Sequence, residues 1–214
     1  MKNLIIIGAG DFGKEVEWLV EDINRENPTY NILGYRDGNK DKTKITVGNH
    51  EVLGEIEYLY ELDTTHDVYA VLAMQDVDSR KRCAEILGKF DRWETLVHPS
   101  VVISERTKIG KGCVICAGSS ISVDSEIGDH CLLNISSTVG HDCIIEDYVS
   151  IMSGAVVCGH VKVEGKAYLG TNCTVIPGIR VGRHAVVGAG SVVLRDVKEN
   201  TTVMGVPAKR VAMG

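Results

Sequence analysis

From Ile127 to Ile151 the chain reads IGDHCL LNISST VGHDCI IEDYVS I, with one aliphatic residue heading each group of six. Extended in both directions the rule holds without a break: from Val97 through Ile103, Ile109 and Ile115 to Val181, Val187 and Val193, every sixth residue is Val, Ile or Leu. Four residues after each comes a small or β-branched side chain, as at Cys113, Ser119, Ser125, Cys131, Ser137, Cys143 and Ala155. A period of six suits neither the 3.6 of a helix nor the alternation of an ordinary strand. It suits a triangular coil with three short flat sides, one hexad to a side, aliphatic residues inward and small residues near the corners. Residues three hexads apart then stack, as in other solenoids. Glycine often follows the aliphatic residue, as at Gly110, Gly128, Gly140, Gly170, Gly182 and Gly188; backbone angles that other residues resist are expected there.

The predicted fold is therefore a left-handed parallel β-helix over residues 97–198, preceded by a small Rossmann-like α/β domain over 1–96 and followed by a cap or tail over 199–214. In the first part an apolar strand, Lys2 to Ile7, runs into Gly8-Ala9-Gly10-Asp11-Phe12-Gly13 and then a helical pattern from Lys14 to Asn24. Strand, glycine turn and helix in that order aim backbone N–H groups at a phosphate. A second strand, Asn31 to Tyr35, ends in Arg36-Asp37, where a ribose acceptor is expected. A strand over Asp67 to Ala73, a helix over Ser79 to Gly88 and a strand near Trp93 to Val97 complete the domain. This is little more than one mononucleotide half, so a single nucleotide or nucleotide-sugar suits it better than NAD.

Residues 1–96 carry 12 Lys/Arg against 19 Asp/Glu, a net of −7, and residues 97–214 carry 11 against 10, a net of +1. With a pI near 5.6 and no basic stripe, the chain is a poor candidate for binding nucleic acid or anionic membranes. No apolar run is long enough for a signal segment or a membrane span, and a cytoplasmic protein is expected. Four of the seven cysteines fall at the small inward position, which makes them compact hydrophobes rather than nucleophiles or ligands. His130, His141, His160 and His184 follow one another at intervals of 11, 19 and 24, so no two histidines stack and no metal site is expected. His141 stands out: two residues after inward Val139 it faces outward, with Asp142 beside it, in the manner of a general base. From spacing alone an ordinary surface histidine is the better reading.

The hexad run, the segment from Asn134 to Gly140-His141, the closing Gly205-Val206-Pro207-Ala208-Lys209 and the glycine-turn domain joined through His98-Pro99 together resemble the sugar O- and N-acetyltransferase family of hexapeptide-repeat acyltransferases. That family includes sialic acid O-acetyltransferases and bacillosamine-pathway UDP-amino-sugar N-acetyltransferases. The resemblance implies that His141 is the catalytic base, that Asp142 raises its basicity, and that the Gly159 amide receives the oxyanion. It implies acetyl-CoA as co-substrate, contacted by Ser150, Gly159, Thr171 and Ala189, with Asn134 near the acceptor sugar. Gly10, Asp11 and Phe12 match the phosphate turn, and Arg36 with Asp37 the segment that reads base and ribose. Two departures are Leu72-Ala73-Met74-Gln75-Asp76, where the family has an apolar strand entering a glycine and an acid, and Ser150, where some members place a second histidine. A metal-free homotrimer with sites at subunit interfaces is implied. The expected reaction is N-acetylation of a nucleotide-linked, UDP-type amino sugar in surface glycan synthesis. The alternatives are O-acetylation of sialic acid or another sugar, a non-catalytic trimeric nucleotide-binding scaffold and, through the glycine turn alone, a nicotinamide enzyme.

Overall fold

The computed structural model describes residues 1–61 and 67–211; the end of the expected tail lies outside the described residues. The chain divides into two compact units, Met1–Pro99 and Ser100–Gly214.

In the first unit, among the described residues, strands β1 (Lys2–Ile7), β2 (Tyr30–Arg36) and β5 (Val68–Leu72) form a parallel sheet in the order β2-β1-β5. Leu4 to Ile7 are completely buried, as expected of a parallel strand covered on both faces. Helix α1 (Asp11–Glu26) begins earlier than its apolar period suggested, because Gly10 takes the extended N-cap conformation directly after the turn. Helix α2 spans Val77–Ile86, and regular strand near the unit's end is confined to Leu96–Val97. A short hairpin, β3 (Thr46–Val47) with β4 (His50–Glu51), had no sequence signal. It is tied to α1 through Glu17, which is nearly fully buried. That carboxylate accepts from the Asn49 amide at 2.9 Å, from His50 Nδ1 at 2.7 Å and from the Tyr35 hydroxyl.

The second unit is the β-helix. One face runs from Val102–Ile103 to Val192–Val193, the second from Lys108–Ile109 to Arg180–Val181 and the third from Val114–Ile115 to Val186–Val187. Each strand pairs with its counterpart three hexads on, without a slip: Ser120 pairs with Thr138, Thr138 with Val156 and Val156 with Thr174. Val139, Val157, Val175 and Val187 are fully buried, and the chain continues past the hexads into Thr202–Met204, paired with Lys209–Val211. The inward cysteines pack as expected. Cys113, Cys131 and Cys143 donate their thiols to carbonyls of the next coil at 3.1, 3.2 and 3.0 Å, and burial pushes the Cys173 thiol up to about 12, which leaves it inert.

The glycines after the aliphatic residues are explained by space, not by backbone angle. A β-carbon at Gly140 would stand 2.6 Å from the Gly159 nitrogen, and one at Gly182 would stand 2.5 Å from the Glu199 nitrogen, so a side chain would strike the next coil. The left-handed angles fall two or three residues later and are mostly filled by other residues: Asp124, His130, Ser136, Asp142, Tyr148, His160, Lys166, Asn172 and His184 all have φ between 55° and 64°. From His130 onward each of these donates its N–H to a carbonyl of the preceding coil, as His160 does to His141 at 2.9 Å, which offsets the cost of the unusual angle.

Candidate active site

His141 follows the strand Thr138–Val139 at a corner of the β-helix. Its Nδ1 lies 2.7 Å from Asp142 Oδ2, and both side chains are about half exposed. The hydrogen bond from His141 is the main reason the Asp142 carboxyl is held below its ordinary range, with the charges of His160 and Arg106 assisting against slight desolvation. The other edge of the ring lies over Gly159, where a β-carbon would stand 2.5 Å from Nε2.

The Gly159 amide donates to no acceptor among the described residues. At another corner four of the five equivalent outward amides are capped, all but that of Asp147: Lys111 by Asp129 at 2.9 Å, Asp129 by Asp147 at 2.8 Å, Gly165 by Glu146 at 2.9 Å and Arg183 by Glu164 at 3.0 Å. Glu146, which follows His141 closely in sequence, is thus occupied there. The corner of His141 therefore places a held imidazole beside an uncapped N–H donor, a pair suited to proton removal and oxyanion stabilisation.

Thr171 and Ala189, both exposed, stack on successive coils at a different corner, where the Gly190 amide donates to the Thr171 carbonyl at 2.8 Å. Their corner and that of His141 bound the two edges of one face. Ser150 and Asn134 differ from expectation. Ser150 is completely buried and Asn134 is 3% exposed, because they lie on the third face, where the outward strip of Val114, Leu132 and Ser150 is sealed. The Asn134 Oδ1 is taken by the Ile135 amide at 2.7 Å. Neither side chain is presented to a ligand.

His160 was missed as a partner because histidines were compared with histidines. It is Asp142 that lies one full coil before His160, and the column brings the three together. The His160 ring stands edge-on to His141 with centroids 4.9 Å apart, its Nε2 is 3.9 Å from Asp142 Oδ2, and one polar side-chain atom from each of the three lies within 4.8 Å of the others.

In the first unit a cleft of about 870 Å³ opens at the carboxyl ends of the parallel strands, lined by Gly10, Asp11, Phe12, Asp37, Lys42 and Arg82 among others. The first turn of α1 has no side-chain cap, which leaves its dipole and N–H groups toward the cleft. Asp37 is where the sequence put it but is already engaged. Its carboxylate accepts from the Ala9 amide at 2.8 Å, the Asn39 amide at 2.9 Å and Lys42 Nζ at 3.1 Å. Burial pulls the carboxyl upward, but these donors outweigh it and hold it below the ordinary range. Arg36 does not line the cleft. It is 5% exposed, and its guanidinium donates to the carbonyls of Leu53, Glu55 and Tyr58 at 3.1, 3.3 and 3.2 Å. The side chain at a strand's end can turn to either face, and here it turns inward to satisfy a loop. Lys42 and Arg82, the cleft's cations, lie outside any motif and were not read from sequence.

A nucleotide-sized cleft in an α/β unit, followed by a hexad β-helix with an exposed His–Asp pair, defines a hexapeptide-repeat acyltransferase. Residues 3–87 match the PglD N-terminal domain, 124–159 the bacterial transferase hexapeptide (six repeats), and 102–122 with 160–195 the hexapeptide repeat of succinyl-transferase. The GDP-perosamine N-acetyltransferase of Escherichia coli O157:H7 is 32% identical over 192 residues, covering 86% of this chain and 82% of that protein. The chain belongs to the sugar acetyltransferase family of hexapeptide-repeat proteins. Among solved structures, a histidine-to-asparagine variant of perosamine N-acetyltransferase from Caulobacter crescentus, in complex with CoA and GDP-perosamine, superposes with a TM-score of 0.90 at 28% identity, covering 100% of this chain and 98% of that one. The acetyltransferase domain of PglB from Neisseria gonorrhoeae FA1090, in complex with acetyl coenzyme A, gives 0.89 at 27% identity and covers 98% and 99%. Some curated relatives match only in part: the chain spans about half, 52%, of the serine acetyltransferase of Bacillus pumilus.

Proposed function

We propose that the chain transfers acetyl from acetyl-CoA to the amino group of a nucleotide-activated amino sugar. The observation that carries this reading is the His141–Asp142 pair at 2.7 Å with its ring over the uncapped Gly159 amide. Asp142 holds the Nδ1–H, which leaves Nε2 to take a proton from the acceptor amine as the amine attacks the thioester carbonyl. The Gly159 N–H receives the charge that develops on the carbonyl oxygen; collapse of the tetrahedral intermediate breaks the C–S bond and expels the CoA thiolate, which takes the proton from His141, and no acyl-enzyme is needed.

The acceptor class is supported by the cleft of the first unit and by the two perosamine relatives. These act on or hold a GDP-linked sugar, so a guanosine nucleotide joins the uridine one expected from sequence. Thr171 and Ala189 lie at the opposite edge of a face from His141, an arrangement that suits a groove between two copies, one supplying each corner. We infer a homotrimer with acetyl-CoA between neighbours. Among the described residues no helix is long and apolar enough to cross a membrane, and an acetyl-CoA-dependent enzyme suits the cytoplasm.

The test follows thiol release from acetyl-CoA with UDP- and GDP-linked 4-amino sugars and sialic acid in parallel, with His141→Ala as control. Turnover with a nucleotide amino sugar, lost in the variant, supports the proposal. Turnover with sialic acid alone selects O-acetylation, and turnover undiminished by His141→Ala removes the proposed base.

A further inference from the structure

The corner that carries His141 is also a column of charge. Arg106, Asp124, Asp142 and His160 recur once per coil, and the last three share left-handed angles of 57°, 55° and 59°. Arg106 is paired with Asp124 at 2.8 Å, so the lower acid is already matched by a cation. Among the described residues Asp142 has only imidazoles above and beside it: His141 Nδ1 at 2.7 Å and His160 Nε2 at 3.9 Å. The coil beyond contributes Gly178, without charge, and Glu105 stands two coils below His141 in that residue's own column. One carboxylate is thus shared by two histidines.

We propose that His160 is a positioning residue that tunes the His141–Asp142 pair by competing for the Asp142 carboxylate. This rests on His141 being the base. With His160 neutral, Asp142 is left to hold His141 and to stabilise the imidazolium formed during transfer. With His160 protonated, the carboxylate is drawn toward His160 and a second cation stands beside the His141 ring, which opposes proton uptake there. His160 thereby helps to set the acid limb of the rate profile.

Two substitutions separate charge from shape. His160→Asn removes the charge at a backbone angle that Asn172 adopts in the neighbouring column, and His160→Lys fixes it at an angle that Lys166 adopts. The first measurement needs no turnover: the His141 imidazole resonances of histidine-labelled protein are followed by NMR as pH is varied, without acetyl-CoA or sugar. The His141 midpoint is expected to rise in the order His160→Lys, native, His160→Asn, with steps of about 0.3 to 0.6 pH unit for a charge near 5 Å in screened water. The spread should shrink in about 1 M salt. The acid limb of kcat/KM should follow the same order.

Coincident midpoints in three folded proteins, judged by circular dichroism, would overturn the proposal, as would loss of rate at every pH with no movement of the limb. An ordered set of NMR midpoints without acetyl transfer to any acceptor would uphold the coupling while removing the proposed reaction.

Discussion

A β-carbon on Gly159 would stand 2.5 Å from Nε2 of His141. Absence of a side chain at 159 is thus what lets the imidazole rest where it can both meet Asp142 and face an open amide. Gly159 is not among the glycines with positive φ, so alanine is allowed by the backbone and excluded only by the ring. Gly159→Ala should turn the imidazole away and lower kcat by about 10² to 10³, the range for a displaced base or a lost oxyanion donor. The melting temperature should stay within a few degrees. Steady-state kinetics with a thermal melt checks this; full activity would show that the ring position is not used, since alanine keeps the amide.

Arg36 holds three loop carbonyls from inside the first unit. Arg36→Met keeps most of the volume but strands those acceptors, and should cost about 3 kcal/mol. That is roughly 6–12 °C in melting temperature for a chain of this size. The KM for the nucleotide-sugar, measured below the new melting point, should change less than about twofold, because the guanidinium does not reach the cleft. A raised KM with an unchanged melt would return Arg36 to the ligand-reading role inferred from its position at the end of β2.

Glu17 gives a pH dependence of stability with a definite sign. Burial tends to raise its carboxyl, but hydrogen bonds from Tyr35, the Asn49 amide and His50 outweigh this and hold it below its ordinary value of 4.5. A lowered folded value means that the contribution is complete above the unfolded pKa and is lost as pH falls through the folded one. Glu17→Gln should therefore be less stable than the native chain at pH 7, by about 1–3 kcal/mol. The gap should close as pH falls below about 4. Melting curves from pH 7 to pH 3 test this, and a constant gap would mean that the carboxylate's charge contributes nothing.

The β-helix was legible because every inward position obeys one rule at one period, and a stack repeating every three hexads follows from that rule without knowledge of any other contact. The outward placement of His141 beside Asp142 followed from counting onward from inward Val139, whereas Gly159 was named only through the family resemblance; the structure puts the three at one corner. Arg36, Asn134 and Ser150 were not, because motif alignment locates a backbone position and says nothing about which outward surfaces are sealed or which way a long side chain turns. The hairpin at Thr46–Glu51 was invisible for a related reason. Its strand residues gain their place from the carboxylates of Glu17 and Glu21 on α1 and from pairing beside β2, and no local periodicity records that.

The phosphate turn offers a paired test in which two glycines have different jobs. A β-carbon at Gly13 would lie 2.2 Å from the Gly8 carbonyl oxygen, a backbone atom that cannot move aside, whereas one at Gly10 meets nothing within 4 Å. Gly13 is needed for the close seating of α1 against the turn, and Gly10 for open space before the helix N-terminus, where a phosphate would approach. Gly13→Ala should thus cost about 3 kcal/mol through a clash with backbone. Gly10→Ala should leave the melt within about 2 °C and weaken nucleotide-sugar binding by roughly tenfold or more, since about 1.4 kcal/mol of hindered approach is a factor of ten. Calorimetric titration with UDP- and GDP-linked sugars reads the second effect directly. If Gly10→Ala binds both as tightly as the native chain does, the turn serves only to join strand to helix, and the cleft's cations Lys42 and Arg82 become the place to look for phosphate recognition.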